Sequence, residues 1–337
     1  MLTVGIIGAG YWGKNLVRTF AGNKSIHLKY IADSDPAIRV STAYVPDTIW
    51  TEDYRRVLDD NTVEAVVVST PAVTHYEIAR EALSAGKHVF VEKPMTLVAV
   101  HAEELVRLSE ENSLKLMVGH LLLYHPCITA IREYIENGEI GEPYYLYSQR
   151  LNLGKVRSDE NALLSFAPHD ISVAIYLLGE SPVSVSASGQ CYLQENVEDV
   201  VFLTMLFPDR KIAHVHVSWL DPHKVRKTTV VGSGKMVVFD DMEPREKIRI
   251  YDRGVDRTPS YGSYAEFLSL RDGNIFIPAV KMTEPLRIEC DHFIDCILND
   301  KTPRSNGRNG LVVTKVLECG QKSLSSGGVP IRINSAR

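Results

Sequence analysis

The chain has 337 residues, 45% of them hydrophobic and 23% charged, with a formal net charge of −5. That length suits two domains with large cores, and the mild acidity gives no general case for nucleic-acid binding. No apolar run reaches the roughly 18 residues of a membrane span, and the first residues enter a strand without a basic segment, an apolar leader or a cleavage site. Five dispersed cysteines (Cys127, Cys191, Cys290, Cys296 and Cys319) lack CxxC spacing, which predicts reduced thiols in a cytoplasmic protein.

The first stretch is the most informative. An apolar run, Val4 to Ile7, meets Gly8-Ala9-Gly10-Tyr11-Trp12-Gly13; an amphipathic segment and a second apolar run ending in Ala32-Asp33 follow. This is the order strand, glycine turn, helix, strand, acidic tip. Gly8 allows a tight turn, Gly10 lets a pyrophosphate approach the backbone, and Gly13 lets the helix pack close to the strand. The helix N-terminus offers free N–H groups to phosphates. Asp33, 20 residues past Gly13, suits the adenosine ribose hydroxyls and repels a 2′-phosphate. Ser34, not arginine, comes next, so NAD is expected rather than NADP, with Arg39 the one nearby cation.

The alternation continues. Ile49-Trp50 is a short strand candidate before a helix over Asp53 to Leu58. Ala65 to Val68 is a strand buried on both faces, ending at Ser69-Thr70-Pro71. A helix is predicted over His75 to Ala85, a strand over His88 to Val91 ending at Glu92-Lys93-Pro94, a helix over Val98 to Asn112, and a strand over Leu116 to Val118 ending at Gly119-His120. Such βα units predict an α/β, doubly wound parallel sheet with ligands beyond its carboxyl ends, where Thr70, Glu92, Lys93 and His120 fall. The rhythm then changes. Helices are predicted over Pro126 to Asn137 and Leu163 to Leu178, and strands over 143–153, 183–189, 199–207, 211–219 and 227–232. Residues 252–280 look irregular, and two amphipathic helices close the chain. The second domain is therefore expected to be α+β with an open, mostly antiparallel sheet, the division falling at residues 1–121 and 122–337.

Several residues invite chemistry. Lys93 ends a buried strand, and beside a dinucleotide it could hold or deprotonate a hydroxyl; it could equally be a solvated strand-end lysine. Pro168 suits the first position of a helix, which would put His169 at a helix N-terminus and bias it to the neutral form of a general base. A structural histidine is the alternative, and Asp170 suits the helix start. Arg150, Asn152, Lys155 and Arg157 form a basic stretch that could meet a diphosphate or simply be a solvated loop. His214 and His216 share one strand face without a clear third ligand, so no metal site is expected.

Together these motifs resemble the glucose–fructose oxidoreductase / inositol dehydrogenase (Gfo/Idh/MocA) family over essentially the whole chain. The carriers are Gly8 to Gly13, Ser69 to His75, the segment Ala85-Gly86-Lys87-His88-Val89-Phe90-Val91-Glu92-Lys93-Pro94-Met95-Thr96, and Ser165 to Ile171. The resemblance implies a Rossmann domain, an oxidoreductase using NAD, and Lys93 and His169 flanking the nicotinamide and the reacting carbinol. Motifs and resemblance together give a cofactor set of Gly8, Gly10, Tyr11, Trp12, Gly13, Asp33, Ser34, Thr70, Pro71, His75, Glu92 and Lys93. The substrate set is His120, Tyr124, Arg150, Asn152, Arg157, Ser165 and His169. Two departures stand out: Ser165 replaces an aspartate common four residues before the histidine, and Leu123 stands where an arginine is usual.

The stretches 119–126, 149–154 and 165–170 are most similar to nucleotide-sugar 3-dehydrogenases. This implies oxidation of C3 of UDP-N-acetylglucosamine to a 3-keto sugar that a PLP-dependent aminotransferase can aminate, in making lipid A or other surface glycans. It also implies a homodimer or homotetramer formed through the C-terminal sheet. The rivals are a keto-sugar nucleotide reductase, a UDP-N-acetylglucosaminuronate dehydrogenase and a non-catalytic dinucleotide-sensing regulator.

Overall fold

The computed structural model describes all residues except 43–44, 155, 159, 258–267 and 334–337. The chain divides into two compact units, Met1–Tyr124 with Thr283–Glu318, and His125–Met282 with Cys319–Arg337.

The first unit contains strands β1 (Leu2–Ile7), β2 (Ile26–Ala32), β3 (Ile49–Thr51), β4 (Ala65–Val68), β5 (His88–Glu92) and β6 (Leu116–Gly119). They form one parallel sheet in the order β3-β2-β1-β4-β5-β6. Helices α1 (Gly13–Ala21), α2 (Ile38–Thr42), α3 (Arg55–Leu58), α4 (Ala72–Ser84) and α5 (Ala99–Glu111) connect them. All four β4 residues are buried, as a central parallel strand covered on both faces requires. The order reverses between β1 and β4, so their carboxyl ends open the crevice where such sheets bind ligands. Helix α4 begins three residues before the expected His75, because Pro71 presets the chain at its N-cap.

A division at residue 121 into two continuous segments does not describe this chain. Helix α8 (Pro285–Leu298) and most of α9 (Gly307–Ser325) belong to the first unit. The reason is apolar packing. Phe293 of α8 meets Phe90 of β5 edge to face at 5.7 Å. Gly310 of α9 leaves room for Val118 and Met95, where a Cβ would approach Val118 to 2.6 Å.

The second unit holds helices α6 (Pro126–Glu136) and α7 (Ala162–Leu178), with strands β7 (Pro143–Leu151), β8 (Ser184–Gln190), β9 (Val200–Leu206), β10 (Ile212–Ser218) and β11 (Val225–Gly232). Strands β12 (Met236–Asp240), β13 (Ile248–Arg257), β14 (Leu268–Phe276) and β15 (Ile331–Arg332) complete it. The sheet runs β14-β13-β12-β11-β7-β10-β9-β8-β15, antiparallel except for the β7–β10 pair. Helix α7 packs on β7, β9 and β10, covering their buried residues Leu146, Val201, Leu203, Ala213 and Val215. The opposite face stays open. The region read as irregular contains the β13–β14 ribbon; past Ile250 the side chains described on both strands are half-buried or exposed, with Leu270 88% exposed.

Candidate active site

The residues expected to hold the cofactor lie on the first unit, at the carboxyl ends of β1, β4 and β5. Gly8 has φ +89°, and a Cβ there would sit 2.7 Å from the backbone of Ser69 and Thr70. A Cβ on Gly13 would lie 2.2 Å from the Gly8 carbonyl oxygen. Gly10 instead faces open space, with one atom, of Ile38, within 4 Å of its virtual Cβ. The crowded positions close the turn, and the open one admits a pyrophosphate. The Trp12 side chain at the N-cap of α1 makes no capping hydrogen bond among the described residues, and the N–H dipole end of such a helix suits a phosphate. The Asp33 carboxylate accepts from the Ala9 N–H at 2.7 Å and the Asp35 N–H at 3.0 Å, which fixes it over the turn. Ser34 is exposed beside it, and Tyr11 is 89% exposed at the tip of the turn. These residues fit a dinucleotide.

Lys93 is held from both sides. Glu92, at the end of β5, accepts from Trp12 Nε1 of the glycine turn at 2.5 Å and from the Lys93 N–H at 3.1 Å. On the other side, the His75 ring lies 2.8 Å from the carbonyl oxygens of both Pro94 and Thr70. Burial drives His75 toward its neutral form. Thr70 Oγ1 accepts from Thr74 Oγ1 at 2.7 Å, so Thr70 and Pro71 shape the entry to α4. His120 lies near Lys93, fully buried, and both its ring nitrogens lack hydrogen-bond partners among the described residues. Burial, aided by the Lys93 charge, pushes it down to about 3, so it is neutral at physiological pH.

Two acids in this unit were not foreseen as a pair. Glu289 of α8 is fully buried, and neither carboxyl oxygen has a hydrogen-bond partner among the described residues. Burial, and secondarily the charge of Glu92, holds it protonated well above the usual carboxylate range. Burial also raises Glu92. Its signal was present in the sequence, as a glutamate inside the apolar stripe Leu286, Cys290, Phe293. Tyr124, expected to touch substrate, is 1% exposed, and its hydroxyl pairs with Ser305 Oγ at 2.9 Å. It is a core residue that ties the end of β6 to the segment before α9.

The substrate-set residues of the second unit gather on α7 and β7. Pro168 does not start α7. The helix begins at Ala162, capped by Asn161, whose Oδ1 accepts from the Leu164 N–H at 3.1 Å. His169 therefore sits in the second turn or beyond, half-buried, and the helix-dipole argument for its neutrality does not apply. Asp170 is likewise no helix-start residue. It is 3% exposed and accepts from Arg150 Nε at 2.5 Å, Arg150 Nη2 at 3.2 Å and the Ser148 hydroxyl. That bidentate pair fastens α7, and with it His169, to β7. Arg150 is thereby charge-paired with Asp170. Asn152 is also engaged, its Oδ1 accepting from Arg226 Nη2 at 2.6 Å. Arg157 pairs with Glu160 at 3.0 Å, and Lys155 lies outside the described residues. Ser165 is 7% exposed on α7, one turn before His169. His214 and His216 stack with Phe202 on the open sheet face, and no metal-binding cluster occurs among the described residues.

Comparison with known proteins agrees with this architecture. Residues 2–120 match the model of an oxidoreductase family with an NAD-binding Rossmann fold, and residues 128–238 match the GFO/IDH/MocA C-terminal domain. A UDP-N-acetylglucosamine 3-dehydrogenase of Acidithiobacillus ferrooxidans is 26% identical over 77% of this chain and 79% of its own length. A scyllo-inositol 2-dehydrogenase (NAD(+)) of Bacillus subtilis is 25% identical over 98% of this chain and 96% of its own. The solved structure of the Acidithiobacillus ferrooxidans enzyme superposes with a TM-score of 0.82 at 23% identity, covering 96% of this chain and 98% of that one.

Proposed function

The chain belongs to the Gfo/Idh/MocA family of NAD-type oxidoreductases, and from that premise we propose that it oxidises a sugar secondary alcohol, C3 of UDP-N-acetylglucosamine. The observation that carries the reading is the setting of Lys93. It stands at the carboxyl end of β5, between Glu92, anchored to the glycine turn through Trp12, and Pro94, bound by His75. A lysine whose flanking backbone is so fixed beside a dinucleotide cradle suits a reacting hydroxyl better than a solvated surface. The sequence likeness to a UDP-N-acetylglucosamine 3-dehydrogenase supports the choice of sugar.

Oxidation of a carbinol removes a hydride and a proton. Bound NAD supplies the hydride acceptor. The hydroxyl proton passes to His169 while the Lys93 ammonium stabilises the developing alkoxide, or it passes to Lys93 as the neutral amine. The Arg150–Asp170 pair fixes the helix turn that carries His169. With Ser165 in place of a carboxylate, no acid one turn earlier shares the proton transfer. The 3-keto product would suit a PLP-dependent aminotransferase, and the open face of the second sheet would seat a second copy of the chain.

The test is the NADH absorbance band after mixing protein, NAD and a panel of UDP-sugars, with an aminotransferase and amine donor drawing off the keto product. NADH formation confined to UDP-N-acetylglucosamine supports the reading. Silence across the panel, with NAD binding verified separately, removes it.

A further inference from the structure

Strands β7 and β11 pair so that Arg150 and Arg226 stand directly opposite each other. Like charges in that register repel. One carboxylate, Asp170, sits against the pair, and Arg150 takes it in bidentate fashion. The next acid within electrostatic reach of Arg226 is Asp241, whose carboxylate is 3.1 Å from Lys247 Nζ and 3.4 Å from His125 Nε2. Among the described residues no carboxylate contacts Arg226. Its guanidinium is oriented by neutral acceptors alone: Nη1 donates to the carbonyl oxygens of Leu151 at 2.9 Å and Val225 at 2.8 Å, and Nη2 to Asn152 Oδ1 at 2.6 Å. The group also lies over the Phe166 ring at 5.7 Å.

The cluster is thus rigid and carries one positive charge in excess. Phe166 is three residues before His169 on α7, a rise of about 4.5 Å along the helix. A guanidinium keeps five N–H donors in a planar fork. The described contacts use three of them, leaving Nε–H and one Nη2 hydrogen.

Taking the sugar-dehydrogenase reading above as given, we propose that Arg226, oriented by Asn152 and stacked on Phe166, binds an anionic group carried by the sugar substrate. The chemistry is that of an oxyanion. Its source is the phosphate of a nucleotide sugar or the carboxylate of a uronate, and a neutral polyol supplies neither. Burial, and secondarily the Arg150 charge, pushes Arg226 down to about 10. In this proposal Arg226, 75 positions downstream of Leu151, meets the oxyanion alongside the basic stretch.

The test is isothermal titration of the NADH-saturated protein with three probes: UDP, glucuronate and neutral N-acetylglucosamine. The wild type should bind at least one anionic probe more tightly than the neutral one. In Arg226→Met the ratio of anionic to neutral affinity should fall tenfold or more. In Arg226→Lys, which keeps the charge but loses the fork, it should fall threefold or more. Loss confined to UDP assigns the phosphate, and loss confined to glucuronate assigns the carboxylate. An unchanged ratio in a folded Arg226→Met protein overturns the proposal. If that variant does not fold, an unchanged ratio in Arg226→Lys overturns it, as does a wild type that prefers neither anion. Turnover separates the two readings. A protein that binds UDP through Arg226 yet leaves UDP-N-acetylglucosamine unoxidised loses the 3-dehydrogenase reading and keeps this one. Oxidation of that sugar by Arg226→Met at wild-type kcat/KM does the reverse.

Discussion

Lys93 concentrates the chemistry at the residue scale. Its neighbours are fixed through Trp12, Glu92 and His75, so truncating its ammonium should leave the cradle standing. Lys93→Met is expected to lower turnover at least about 100-fold, the usual range for a lost acid–base group, while NAD affinity by fluorescence titration stays within a few-fold. Turnover close to wild type would remove Lys93 from the reaction. Glu289 makes a different prediction. Its carboxyl is held protonated by burial, so its folded pKa lies above the unfolded value of about 4.3. Between those two values the folded chain keeps a proton that the unfolded chain releases. Stability from this group is full at low pH and falls as pH rises through that window, by up to about 1.4 kcal/mol per pH unit. Glu289→Gln removes the titration, so its melting temperature should drop less than that of wild type as pH is raised from the unfolded value of about 4.3. An equal drop in both proteins would mean that Glu289 does not titrate there. The glycine turn, Asp33 and the strand-end position of Lys93 were legible because they follow from local spacing. Arg226 was not, because its position opposite Arg150 exists only through the β7–β11 register.

Elements of the first unit were legible for the same reason. Parallel strands such as β4 are apolar on both faces and stand out as unbroken runs. The ends were less legible: Pro168 looked like a helix start and lies inside α7, because Asn161 supplies the true cap seven residues earlier. The β13–β14 ribbon was missed because neither of its faces is consistently buried, so no alternation marks it. One element joint has a measurable consequence. Lys87, just before β5, is 4% exposed and donates from Nζ to the carbonyl oxygens of Asp60 at 3.0 Å and Val63 at 2.8 Å. It ties the loop entering β4 to the start of β5. Lys87→Met would leave two buried carbonyls without that donor, at about 1–3 kcal/mol each before any compensation by water. A lower denaturation midpoint with an unchanged m-value is the expected result in urea. A midpoint equal to wild type would show that the loop is held by other contacts.

For the whole molecule, the open face of the nine-stranded sheet sets the expectation. Alternation along β7, β9 and β10 sends Leu146, Leu203 and Val215 under α7 and leaves Tyr145, Tyr147, Phe202, Leu206 and Ile212 each 40–43% exposed on the other side. Register makes these neighbours: Ile212 lies opposite both Tyr145 and Leu206, and His216 opposite Phe202. The result is a contiguous aromatic and aliphatic surface on one face of the sheet. Isolated exposed apolar side chains need no explanation, but a patch of this continuity marks an interaction surface. A second copy is the occupant that the family reading favours. Such an interface buries about 800 Å² per partner, and a carboxylate placed inside it pays several kcal/mol of desolvation. Phe202→Glu combined with Tyr147→Glu should therefore convert the assembly to single chains of 37.7 kDa in light scattering. Both side chains face outward in the isolated chain, so the monomers should keep wild-type circular dichroism. A wild type that already scatters as a 37.7 kDa species at micromolar concentration would leave the face without a self-partner, and an unchanged oligomer in the double variant would move the interface elsewhere.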